Sequence, residues 1–171
     1  MPIYALGDRV PQIHADAFVH PDAVVIGDVR IGRDSSIWPT AVLRGDYGTI
    51  IIGERTSIQD GTVVHAVAEH ATIVGDDCVV GHLAHLEGCV IEDRALVGSG
   101  SIVLHEAVVR SGATVGAGAV VRNRMEVPAN SSALGVPATI RHDSSDDAVA
   151  LASAALYVGN AHRYQSELRR L

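Results

Sequence analysis

Aromatic side chains are scarce in this chain: phenylalanine, tyrosine and tryptophan together make up 4% of 171 residues. That scarcity speaks against a wide core built on rings and fits a narrow interior filled by aliphatic and small side chains. Cysteine is nearly absent. Cys78 and Cys89, the two present, are too few for a disulfide framework and read as small buried thiols rather than nucleophiles. Excess positive charge is lacking as well, with a net charge of −7 and a pI near 5.6, so nucleic acid and anionic membrane surfaces are not expected partners. Small molecules are. Long apolar runs are missing: no window approaches the roughly 18 apolar residues of a spanning helix, and the N-terminal MPIYALGDRVPQI has neither a basic flank nor a long apolar stretch. A cytoplasmic protein of one domain is therefore expected.

What is present is a repeat. Aliphatic residues recur six apart at Ile13, Val19, Val25, Ile31, Ile37 and Leu43, again at Ile52, Ile58 and Val64, at Val74, Val80 and Leu86, and from Ile91 through Val97, Val103, Val109 and Val115 to Val121. Extra residues interrupt the period before Ile52 and before Val74, and one residue is missing between Leu86 and Ile91. The residue after the aliphatic one is often glycine (Gly32, Gly53, Gly75, Gly81, Gly98, Gly116). The fifth position is usually small, as at Ala41, Thr62, Ala84 and Ala107. Six residues supply one short strand and one turn, so three such units close a triangular coil around a narrow interior. The spacing predicts about six coils between residues 10 and 127. This pattern resembles the hexapeptide-repeat proteins, and the resemblance implies an all-β fold, a left-handed parallel β-helix.

Residues 128 to 143 carry Pro128 and Pro137 and read as an extended return segment. A helix is expected after it, capped by Ser144 or Ser145, with Asp146 and Asp147 in its first turn and Arg169 and Arg170 in its last. Val149, Ala152, Leu156, Asn160 and Tyr164 would form its packing face. The expected division is a β-helix with its return segment over 1–143 and a helix packed on it over 144–171, within a single domain.

The repeat also arranges the polar residues. Four of the nine histidines, His65, His70, His82 and His85, lie between Ile58 and Ile91. Counting faces around the coil stacks Leu43, Val64 and Leu86, so the residues that follow them, Arg44, His65 and Glu87, form an outward column with about 4.8 Å between coils. Asp60 falls over His82 on the preceding face, with Gln59 over Gly81. His65 and Glu87 can thus share a metal from one chain, whereas His82, on a different face, is poorly placed to join them in the same subunit and could be supplied by a second chain.

The runs RGDYGTIIIGERTSIQDGTVVH, VGHLAHLEGC and VGSGSIVLHEAVV resemble the gamma-class carbonic anhydrases, and the likeness covers most of residues 10 to 140. It implies a homotrimer with a metal at each subunit interface. His65 and the residue at position 87 would come from one chain and His82 from its neighbour. Arg44 and Asp46 match the family's interface charge pair, and Gln59 and Asp60 its polar active-site residues. For Gln59 the alternatives are orienting the metal's water and making a hydrogen bond across the trimer. Arg44, Asp46 and Asp60 are read mainly as interface charges that fix register.

The family pattern has histidine where this chain has Glu87. A set of two histidines and one glutamate is a known zinc arrangement, and Fe2+ or Co2+ would also accept nitrogen and oxygen donors. The other reading of Glu87 is a structural partner for Arg44 or for a neighbour's histidine. His85 is an alternative ligand, placed near a corner. His14, His20, His105, His142 and His162 read as surface residues.

The implied reaction is reversible hydration of CO2 to bicarbonate by hydroxide on the metal, with Glu69 and His70 as the candidates for proton export. Tyr157 and Tyr164 read as helix-packing residues, although a C-terminal tyrosine approaches the metal in some relatives, which makes Tyr157 a candidate. Two other functions compete. One is acyl transfer from CoA with a histidine base, although no basic patch for the CoA phosphate lies near the histidines. The other is a trimeric metal-binding scaffold with weak or no turnover.

Overall fold

A computed structural model describes residues 2–171 as a parallel β-helix with one C-terminal helix. Most strands are two or three residues long and pair in parallel with the strand one coil later, except that Thr139–Arg141 folds back antiparallel on Ser132–Leu134. The solenoid has about seven turns rather than six. The additional turn comes from Ile3–Tyr4 at the start and Ser132–Leu134 at the end, where Val127 and Ala133 carry the six-residue spacing on past Val121.

The aliphatic positions point inward. From Val25 to Val121 every one of them is at most 3% exposed, and the fifth-position residues Ala41, Thr62, Ala84 and Ala107 are equally buried. Two residues of every six therefore build the core, and a triangular tube this narrow needs no aromatic residue inside it. Its packing leaves little freedom at the corners. A Cβ on Gly53 would stand 2.6 Å from the carbonyl carbon of Gly75 in the next coil, so backbone stacks directly on backbone there.

Most corners also place a left-handed residue three positions after the inward aliphatic one. Glycine fills this place at Gly61, Gly100, Gly112 and Gly118, and ordinary residues fill it at Asp34, Arg55, Asp77 and Leu83, with φ between 53° and 58°. Each of the latter costs about 1 kcal/mol, offset by the coil closure it permits.

Both insertions keep the core continuous, with Ile50 of the first and Ala66 of the second fully buried in it. Val42–Ile52 is an eleven-residue strand that turns a corner and pairs first with Val63–His65 and then with Thr72–Val74. The second insertion forms a tight excursion closed by the Val67–His70 bridge.

The helix spans Asp147–Glu167, and its cap is Asp146, whose carboxylate accepts from the Ala148 N–H, not Ser144 or Ser145. Those serines are used elsewhere. The Ser144 hydroxyl donates to Ser132, and Ser145 bonds Thr114, so both tie the return segment to the last coils. Arg169 and Arg170 lie beyond the helix end.

The buried stripe is Ala150, Ala154 and Ala161 with Tyr157 and Tyr164, whereas Val149 and Leu156 are 59% and 63% exposed. Alanines let the helix lie close to the sheet. The tyrosines then close around Trp38 and Phe18, with ring centroids 5.1 to 5.9 Å apart, and the Trp38 indole N–H donates to Ser57. No helix among the described residues is long and apolar enough to cross a membrane.

Candidate functional site

The register between coils matches the column expected from the repeat. Leu43 pairs with Val64 and Val64 with Leu86, so Arg44, His65 and Glu87 stand side by side on three successive strands. Because Leu43, Val64 and Leu86 point into the core, their neighbours must point out. The three outward side chains are then held by contacts along and across the column.

His65 is the centre of this arrangement, with only 12% of its side chain exposed. One ring nitrogen, Nδ1, is 2.9 Å from Glu87 Oε1, and the other, Nε2, is 3.0 Å from Asp46 Oδ1. Asp46 in turn accepts a hydrogen bond from Arg44, so Arg44 pairs with Asp46 within the chain and not with Glu87. Burial pushes the Asp46 carboxyl upward, but the hydrogen bonds from Arg44 and His65 outweigh it and hold the group below its ordinary value. The Thr72 hydroxyl donates to the His65 carbonyl and accepts from the Gly88 N–H, which fixes the backbone on both sides of the column.

Glu87 has more partners than the repeat suggested. Besides His65, His85 Nε2 lies 3.1 Å from Oε2 and His105 Nε2 lies 3.5 Å from Oε1. The hydrogen bond from His65 lowers the Glu87 carboxyl most, against a contrary push from burial, and His85 and His105 add to it; the result is about 2. His85 is not stranded at a corner. It belongs to the strand His85–Glu87, and the period of two puts it on the same face as Glu87. His105 is not a plain surface residue either: its Nε2 is buried and has no hydrogen-bond partner. The alternation of the strand could have revealed His85. His105 sits in the turn after Ile102–Val103, and only the folded corner brings it back to Glu87.

His82 stands apart from this group. Its Nδ1 is 2.9 Å from Asp60 Oδ2, and 51% of its side chain is exposed, next to Leu83, which is 71% exposed. Gln59, one residue before Asp60, is buried. Among the described residues, no three histidine, cysteine, aspartate or glutamate side chains of one chain are grouped to hold a metal ion.

The remaining candidates are scattered. Glu69 is exposed on the short excursion, and His70 Nε2 is 3.7 Å from Glu106, away from the column. Tyr157 packs on Trp38 and lines, with Asp60, Asn160 and Arg163, a cavity of about 200 Å³ between helix and β-helix. The two thiols take no part. Burial pushes both Cys78 and Cys89 up to about 12, which leaves them unreactive near neutral pH.

Comparison with known proteins gives a consistent neighbourhood. Residues 11–45 match the family described as bacterial transferase hexapeptide (six repeats). The chain is 41% identical over 152 residues to gamma carbonic anhydrase 1, mitochondrial, of Arabidopsis thaliana, an alignment covering 85% of this chain and 55% of that protein. It thus spans about half of that relative's length. It is 40% identical over 147 residues to the carnitine operon protein CaiE of Escherichia coli K12, covering 86% of this chain and 75% of CaiE. Among solved structures, a putative acetyltransferase of Bacillus cereus superposes with a TM-score of 0.92 at 34% identity, over 97% of this chain and 98% of that one.

Proposed function

Because the chain belongs to the hexapeptide-repeat family that takes in the gamma carbonic anhydrases and CaiE, we propose that it is a metal-dependent, gamma carbonic anhydrase-like homotrimer that hydrates CO2 reversibly to bicarbonate. The observation that carries this reading is the division of the donors: His65 and Glu87 form one half-buried pair, and His82 faces outward from a different part of the coil. Neither half is sufficient alone. Placing His82 of a second protomer against His65 and Glu87 of the first makes a set of two imidazoles and one carboxylate, whose chemistry suits Zn2+, Fe2+ or Co2+.

The ion, when bound, supplies Lewis acidity toward water. The chain's own residues do the rest. Asp60 beside His82 Nδ1 sets the tautomer that leaves Nε2 free as a donor atom, and Asp46 serves the same end on the other histidine by fixing the orientation of the His65 ring. Arg44 offsets part of the negative charge that Asp46 and Glu87 bring to the column. Gln59, buried one residue before Asp60, is assigned the role of orienting water. Proton export is assigned to Glu69 and His70, both on the short excursion and open to solvent, with Tyr157 in a packing role.

The test is elemental analysis of anaerobically purified protein paired with a CO2 hydration assay. Metal near one ion per chain with measurable hydration is expected, and a metal-replete trimer with no hydration overturns the reaction. One observation favours a second reading. The exposed His82 ring held by Asp60 at 2.9 Å is also the pairing of a general base with its orienting carboxylate, and the fold is that of the putative acetyltransferase. Acyl transfer predicts release of free CoA from acetyl-CoA with an amine or alcohol acceptor, lost in His82→Ala whether or not metal is present.

A further inference from the structure

We propose that His85 and His105 are positioning residues that clamp the Glu87 carboxylate and present it to the metal. The inference rests on the assignment of Glu87 as a ligand and extends it to two histidines that the resemblance does not assign.

A glutamate has more rotatable bonds than the histidine it replaces, so as a ligand it must be held from outside or lose affinity to its own freedom. This chain supplies the restraint from two directions. His85, two residues earlier on the same strand, reaches Oε2 at 3.1 Å, and His105, from the next coil, approaches Oε1 at 3.5 Å. The second distance lies outside hydrogen-bonding range, and His105 Nε2 is buried without any partner. A buried unpaired nitrogen calls for an explanation, and the acceptor beside it is Glu87. A small rotation of the carboxylate closes the gap.

The backbone is shaped to admit the ring. Gly88 follows Glu87 with φ +59, and a Cβ there would stand 2.9 Å from His105 Cδ2. Glycine at this position therefore leaves the space in which His105 lies against the column. The Glu106 N–H donates to the Gly88 carbonyl at 2.7 Å and fixes that corner beneath it.

The experiment measures Zn2+ and Co2+ affinity of the full chain by competition with a chromophoric chelator, in the wild type, in His85→Phe, in His105→Phe and in the double variant. Phenylalanine keeps the ring volume and removes the nitrogens. Each single change is expected to weaken affinity about 10- to 100-fold, with His85→Gln and His105→Gln recovering most of the loss. The Co2+ absorption spectrum should keep the wild-type band pattern, because no ligand is removed. Should a phenylalanine variant fail to fold, Gly88→Ala displaces His105 without altering any polar group and should weaken binding in the same sense. Wild-type affinity in the double variant overturns the clamp and leaves the proposed reaction standing. Loss of an imidazole signature from the Co2+ spectrum also overturns it, by making the histidine a ligand. A wild-type chain that takes up neither ion overturns the clamp as well. Conversely, a metal-replete wild type without hydration overturns the reaction alone.

Discussion

Glu87 concentrates what is particular to this chain. Its oxygens are engaged by His65 and His85, with His105 waiting at 3.5 Å, so charge and shape at this position can be separated by substitution. Glu87→Gln keeps the shape and removes the charge, and metal content after dialysis should fall. Glu87→His introduces a third imidazole in place of the carboxylate. A neutral ligand leaves the ion more electrophilic, so hydration at neutral pH should rise. Unchanged metal in Glu87→Gln moves this residue to a purely structural role. Residues at the corners are constrained differently. At Gly53 an added methyl meets the Gly75 backbone at 2.6 Å, and Gly53→Ala should cost about 1–3 kcal/mol, read as a lower melting temperature with metal stoichiometry intact.

At the level of elements, the helix and the coils are held by different physics. The coils share one aliphatic interior, whereas the helix adheres through three alanines and a ring cluster around Trp38. Trp38 is the one tryptophan in the chain, so its fluorescence reports on the docking of the helix. Removing the N-terminal cap in Asp146→Ala should cost about 1 kcal/mol of helix stability. The denaturant midpoint followed by Trp38 fluorescence should shift, while the strand signal in circular dichroism moves less. Coincident shifts of both signals would show that helix and β-helix unfold as one unit.

The whole molecule is where the donors meet. If each site joins two protomers, light scattering should give about three times the 17.9 kDa chain mass. His65→Ala and His82→Ala should each lose metal while remaining folded, since both side chains point away from the core. Mixing the two defective proteins after unfolding and refolding them together supplies a sharper check. In random trimers about a quarter of the interfaces pair an intact His65 with an intact His82, so metal should return to about that fraction. No recovery would mean that the site lies within one chain.

Much of this was written in the order of residues. Val25 through Val121 mark the interior because a six-residue unit leaves one aliphatic and one small position to fill a narrow tube. The same period stacks Arg44, His65 and Glu87, because residues next to inward ones must face out. The seventh turn is less plain: Ile3–Tyr4 precedes the first repeat position, and in Ser132–Leu134 the small Ala133 stands where the period calls for a larger aliphatic residue. On the helix, Tyr164 packs as its position suggests, but Ala150, Ala154 and Ala161 take the buried face in place of Val149 and Leu156, because alanines carry too little hydrophobic contrast to mark it. The contact of His105 with Glu87 was decided by tertiary structure alone. Three of the four histidine–carboxylate contacts at Glu87 and Asp60 join different coils, and their distances depend on how corners such as Gly88 turn, which six-residue spacing does not encode.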